Sequence, residues 1–204
     1  MLDLIIKNGE CYIDSKLTKT NIGIQNGKIS IIGDLNNEQS KETIDASNLL
    51  VLPGCMDTQV HFREPGSTNA EDLHTGSKAA IAGGITSVFE MPNTNPPTAN
   101  MKEFNNKLNL AKNRMYSNYA FYFGATPDNS SDLAKLKGLE GCCGVKLFAG
   151  SSTGNLLVDK EEDIEKVFQN TSKIVAVHSE DEEIINLRKK LIEKGNVHTH
   201  PVWR

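Results

Sequence analysis

PGCMDTQVHFREPG, residues Pro53 to Gly66, closes an apolar stretch with a group of chemically capable side chains. A strand is expected over Val51 to Phe62. Successive side chains of an extended strand point to opposite faces, so Gln59, His61 and Arg63 are expected to project together. A lone histidine on a strand is more often structural than functional. Here an arginine follows two residues later, and then a Glu64-Pro65-Gly66 turn. That combination points to a site at the strand's C-terminal tip, where parallel barrels build theirs.

The same texture repeats downstream. Ala70 to Ala82, with Glu71 and Asp72 in its first turn, predicts a helix favoured by the macrodipole. Ile85 to Met91 reads as a strand, and Met101 to Arg114 as a helix with Phe104, Leu108 and Ala111 on one face; Tyr119 to Phe123 reads as a further strand. A helix near Ser131 to Lys137 and a strand Gly144 to Ala149 follow. Next comes a helix Glu161 to Gln169, with Ile164, Val167 and Phe168 inward. A strand Ile174 to His178 and a helix Glu182 to Glu193, burying Ile184, Ile185, Leu187 and Leu191, end the pattern. Alternating strands and helices imply a parallel sheet, because parallel neighbours need crossover connections. The pattern counts as four strand-helix units with a fifth strand not reached.

Upstream, Leu4 to Lys7 is apolar and β-branched, and Asn21 to Gly33 alternates around Asn26-Gly27, a dipeptide suited to a type I′ hairpin turn. A polar loop, Asn36 to Lys41, and a strand near Thr43 to Asp45 complete a small β unit. The expected division is a β unit over 1–52 and a strand-helix domain over 53–204.

Composition narrows the classes. The 204 residues are 38% apolar and 24% charged, the profile of an ordinary globular protein, and the formal charge of -4 with no Lys/Arg run argues against a nucleic-acid partner. No apolar run approaches the roughly 18 residues of a membrane span, and the N-terminus lacks a signal-peptide pattern, so a cytoplasmic protein with a small-molecule partner is expected. The four cysteines (11, 55, 142 and 143) form no CxxC pair and are read as small buried hydrophobes.

Three further segments carry chemistry. Glu90 to Pro97, EMPNTNPP, sets Asn93 at a strand end, where it suits a carboxylate-binding donor beside an arginine and equally suits turn formation before prolines. Gly144 to Val158, GVKLFAGSSTGNLLV, embeds Lys146 in an apolar strand. A buried ammonium needs a partner, a route to the surface, or chemical conversion. His178 stands at the end of its strand, before Ser179 and Glu180. His198 and His200 are read as loop residues and His74 as a surface or packing residue. Ser151 to Gly154 is only a weak phosphate-binding signal, since no Gly-x-x-x-x-Gly-Lys follows. No Gly-x-Ser-x-Gly elbow supports a serine nucleophile.

Together these segments resemble the N-terminal half of a dihydroorotase of the amidohydrolase superfamily, along the whole chain. In that family an aspartate precedes a His-x-His-x-Arg pattern that supplies two metal ligands and the arginine holding the substrate carboxylate. Asp57, His61, Phe62, Arg63, Glu64, Pro65 and Gly66 fit it; Gln59 stands where the family has its first histidine. The resemblance implies an α/β fold, a partial (β/α)8 TIM barrel preceded by a small N-terminal β-sandwich-like unit. It implies Arg63 and Asn93 as substrate-binding residues and His61, Lys146 and His178 as metal ligands. Zinc is the implied metal, one or two per site, with the second position weakened by Gln59 because an amide oxygen is a poor zinc ligand. Lys146 would be carboxylated by carbon dioxide and bridge metals. Other dihydroorotases use an aspartate just after this strand, where Ser151, Ser152 and Thr153 stand here.

The implied reaction interconverts N-carbamoyl-L-aspartate and dihydroorotate in pyrimidine biosynthesis. The family's general acid/base aspartate and a further ligand histidine are expected beyond residue 204, since a complete barrel takes about 250 residues. The chain alone is therefore expected to be inactive. A hydantoinase or allantoinase shares the implied fold and lysine. A non-catalytic homologue serving as a scaffold is the alternative that Gln59 supports. The implied partners are a small-molecule substrate and a homo-oligomer or another pyrimidine-pathway enzyme.

Overall fold

The structure is a computed structural model that describes residues 1–150, 155–193 (the last three through their backbone) and 199–200. The chain divides into two compact units, the first spanning Met1–Gly54 and the second beginning at Cys55.

The first unit is a five-stranded mixed sheet of β1 (Leu2–Ile13), β2 (Lys16–Gln25), β3 (Lys28–Gly33), β4 (Ser40–Asp45) and β5 (Leu50–Val51). β1 pairs antiparallel with β2 and parallel with both β4 and β5. The β2–β3 hairpin turns on Asn26 and Gly27, with φ of 52° and 70°, as a type I′ loop requires. The β1–β2 hairpin turns on Asp14 and Ser15, at φ of 48° and 64°, and lengthens the expected Leu4 to Lys7 strand to 12 residues. Leu2, Ile5 and Leu35 form a small core. All strands described in this unit belong to one sheet, so the facing sheet of the expected sandwich is not among the described residues.

In the second unit, β6 (Cys55–Val60), β7 (Ile85–Glu90), β8 (Asn118–Gly124), β9 (Cys142–Phe148) and β10 (Val175–His178) form a parallel sheet in the order β10-β9-β8-β7-β6. The crossovers are α1 (Leu73–Ala82), α2 (Met101–Ala111), α3 (Ser130–Leu133, continued by a 3-10 turn), and α4 (Glu161–Asn170); α5 (Glu182–Glu193) follows β10. This is an α/β fold. The fifth strand is present as β10, correcting the count of four units. The third crossover, a single helical turn, is too short for helical periodicity to mark it clearly.

The core gathers Phe62, Leu73, Val88, Phe104, Phe121, Phe123, Leu133, Val145, Leu147 and Val167 around the sheet. Helix α1 starts at Leu73 because Asp72 accepts the Thr75 N–H at 2.7 Å, closing a capping box. Two helices bury less than the periodicity predicts. Val167 and Ile185 are buried, whereas Phe168, Ile184 and Leu187 are 52%, 44% and 55% exposed. Among the described residues β10 pairs only with β9 and so forms one border of the sheet, which leaves fewer neighbours for α4 and α5. Cys11 and Cys142 are buried, but Cys55 is exposed on β6, the other border. No helix among the described residues is long and apolar enough to cross a membrane.

Candidate active site at the strand tips

The C-terminal tips of the parallel strands are stitched together in sequence. Met91 N–H donates to Val60 C=O at 2.9 Å, Gly124 N–H to Thr98 C=O at 2.8 Å, Ala125 N–H to Lys146 C=O at 2.8 Å and Ala149 N–H to His178 C=O at 2.9 Å. Every residue the sequence singled out for chemistry on a strand lies on or beside this seam.

β6 ends at Val60, and its register with β7 is irregular between Asp57 and Val60. Arg63 has a left-handed φ of 58°. Gln59, His61 and Arg63 therefore do not alternate along one continuous strand, which corrects that expectation. Gln59 is exposed, with its N–H donating to Asp57 Oδ1 at 2.9 Å. His61 Nδ1 lies 2.8 Å from Asn93 Oδ1. An amide oxygen only accepts, so Nδ1 carries the proton and Nε2 keeps its lone pair. Burial pushes the His61 pKa down against the opposing pull of Asn93, and the charges of Arg63, Lys146 and Lys107 hold it lower. The imidazole is thereby kept neutral, the form that ligates metal.

The turn that carries Arg63 is anchored from two sides. Ser67 N–H donates to Arg63 C=O at 2.9 Å. The Glu64 carboxylate, only 7% exposed, accepts from Arg114 Nη1 at 2.8 Å, Arg114 Nη2 at 3.2 Å and Leu73 N–H at 2.9 Å. Gly66 sits at φ 120°, and a Cβ there would lie 3.0–3.2 Å from Asn95, whose N–H donates to Pro65 C=O at 3.0 Å. Only glycine permits that approach, so the loop after β6 rests directly on the loop after β7. The Arg63 guanidinium itself is exposed and has no hydrogen bond or ion pair among the described residues.

Lys146 lies within β9 and is 3% exposed. Its Nζ stands 5.0 Å from the Phe148 ring centroid and has no hydrogen bond or ion pair among the described residues. Burial lowers its pKa. The Phe148 ring is 6.1 Å from that of His178, whose Nε2 lies 2.7 Å from Glu180 Oε2. With an ionised carboxylate as acceptor, Nε2 donates, which leaves Nδ1 as the ring atom that faces a metal when a carboxylate orients a ligating histidine.

The structure thus forms two groups, His61 with Asn93 at the β6 and β7 tips, and Lys146 with His178 across Phe148 at the β9 and β10 tips. The Lys146 ammonium is one of the charges that hold the His61 pKa down. Among the described residues no three His, Cys, Asp or Glu side chains converge as a complete metal site. The groups able to ligate are His61 Nε2, His178 Nδ1 and a converted Lys146. His198 and Ser151 to Gly154 fall outside the described residues, and His200 is exposed. His74 is tied to Arg114 C=O at 3.2 Å and packs on Tyr116.

Sequence reasoning missed a buried pair beneath this seam. Glu90, the last residue of β7, accepts a short hydrogen bond from Lys107 of α2; the two are 1% and 0% exposed. Burial pushes Glu90 up to about 7 against the pull of Lys107, and lowers Lys107 against the pull of Glu90. The signal was available in the sequence, since Lys107 falls on the same helical face as Phe104 and Ala111, where an unpaired ammonium is untenable.

Comparison with known proteins follows this geometry. The amidohydrolase family model matches residues 50–202. A dihydroorotase of Methanosarcina mazei is 39% identical over 201 residues, 97% of this chain and 43% of the relative. An allantoinase of Desulfitobacterium hafniense is 40% identical over 150 residues, covering 72% of this chain and 33% of the relative. The solved L-hydantoinase of Arthrobacter aurescens superposes with a TM-score of 0.91 at 28% identity, covering 100% of this chain and 46% of that one. The chain spans less than half the length of each of these relatives.

Proposed function

Since this chain belongs to the amidohydrolase family, we propose that it supplies the carboxylate-binding and part of the metal-binding face of a dihydroorotase-type cyclic-amide hydrolase. The reaction is the interconversion of N-carbamoyl-L-aspartate and dihydroorotate. One observation carries this reading: Arg63 holds out a guanidinium with no hydrogen bond or ion pair among the described residues, two residues from His61, whose Asn93 partner has its Oδ1 engaged and no acceptor for its NH2 among those residues. A guanidinium fork with an amide donor suits a free carboxylate.

Lys146 supports the metal part of the reading. A buried amine with a lowered pKa and no partner among the described residues is poised, once it has given up its proton to solvent, to add through its nitrogen to carbon dioxide; the N–C bond forms, a second proton leaves to solvent, and the carbamate is an anionic oxygen ligand. With His61 Nε2 and His178 Nδ1 it makes a nitrogen and oxygen donor set suited to zinc. Bound there, a divalent metal supplies Lewis acidity to the ring carbonyl. Gln59, exposed and neutral, favours one metal over two.

Titration of the zinc- and bicarbonate-treated chain with dihydroorotate, followed by NMR, tests the reading. The carboxylate ligand is expected to perturb Arg63 and Asn93, and Arg63→Met to abolish the effect; hydantoin, which lacks the carboxylate, is expected to leave both residues unchanged. The L-hydantoinase superposition favours a second reading, and equal responses to the two ligands would select it. Absence of bound zinc would instead favour a non-catalytic scaffold.

A further inference from the structure

The Glu90–Lys107 pair is an expensive way to fill a core. Both groups are fully buried, and burial drives each toward its neutral form. Replacing such a pair with apolar side chains of similar volume is often neutral or stabilising, so stability alone does not account for it. Its connections suggest another role. Glu90 is paired in register with Val60, the last residue of β6, and its neighbour Met91 donates to Val60 C=O at 2.9 Å. Lys107 Nζ donates to the Glu90 carboxylate and, at 3.1 Å, to Met91 C=O. The Phe62 N–H faces the same carboxylate, and Phe62 lies between His61 and Arg63. One buried pair therefore ties α2 to the chain just before Asn93 and to the chain between His61 and Arg63.

We propose that Glu90 and Lys107 are positioning residues that hold the two loops in the register where Asn93 meets His61. The pair acts through the backbone, by fixing Phe62 and Met91, and touches no substrate. As a statement about carboxylate binding it rests on the function proposed above; as a statement about the His61–Asn93 bond it does not.

The test compares the wild-type chain with the double variant Glu90→Leu/Lys107→Met and with the near-isosteric Glu90→Gln. Three readouts are taken: the denaturation midpoint, the imidazole nitrogen shifts of His61, and dihydroorotate affinity. The wild type is expected to show a single His61 tautomer with the proton on Nδ1. The double variant is expected to keep its midpoint while His61 becomes a mixture of tautomers, and dihydroorotate affinity to fall. Glu90→Gln is expected to mix the tautomers as well. Retention of the single tautomer in a folded double variant overturns the proposal. So does a double variant that unfolds while Glu90→Gln keeps the proton on Nδ1. If wild type fails to bind dihydroorotate, the functional reading falls, and the tautomer alone decides for or against positioning.

Discussion

Phe62 shows how tightly the residues around the site depend on one another. Its ring lies against α1 at Gly76, where an added Cβ would come within 2.4 Å of it. Glycine in a helix costs roughly 1 kcal/mol relative to alanine, so Gly76→Ala gains that much in propensity, while overpacking costs about 1–3 kcal/mol. Overpacking is expected to win. Gly76→Ala should lose up to about 2 kcal/mol in urea denaturation and shift the His61 resonances; an unchanged midpoint would show that the ring yields freely. At this scale the sequence offers residue types but not their partners. His61, Arg63, Asn93, Lys146 and His178 draw notice because polar groups interrupt or end apolar strands. That Asn93 fixes the proton on His61 depends on two loops 32 residues apart being brought into contact. Lys107 stands on the apolar face of its helix, but the sequence does not name its partner, since Glu90 ends a strand 17 residues away.

Elements were legible where local chemistry sets their limits. Asn26-Gly27 marks its hairpin through the positive φ that both residues tolerate. Asp14-Ser15 makes an equivalent turn without a glycine, and was missed. Helix α1 begins two residues after Glu71 because the Asp72 side chain, unlike that of Glu71, occupies the cap position and accepts the Thr75 N–H. Asp72→Ala removes that acceptor and is expected to cost about 1 kcal/mol, read as a lower urea midpoint with the same m-value. No change in midpoint would mean that the anchoring of Leu73 N–H by Glu64 suffices to start the helix. Irregularity near Asp57 and the left-handed Arg63 lie outside what alternation conveys, since period-two patterning assumes an unbroken strand.

For the molecule as a whole, repeated strand-helix texture made the α/β class readable, and the number of strands less so. Both borders of the parallel sheet carry exposed apolar side chains, with Met56 at 55% on β6, Val177 at 41% on β10 and Ile174 at 76% just before it. Unprotected sheet edges pair with other chains. The 204-residue protein is expected to self-associate as concentration rises in sedimentation velocity, and Ile174→Lys to reduce it; a monomer at every concentration would show that these borders are already guarded. The sheet order has a further consequence, for synthesis. Each parallel strand from β7 through β10 stands beside the one made immediately before it. A strand leaving the ribosome, where chains grow at about 5–20 residues per second, meets a ready edge in the segment that preceded it. Assembly of this unit then proceeds in the direction of translation, and only β6, the first of the five, has to wait for its partner to be made.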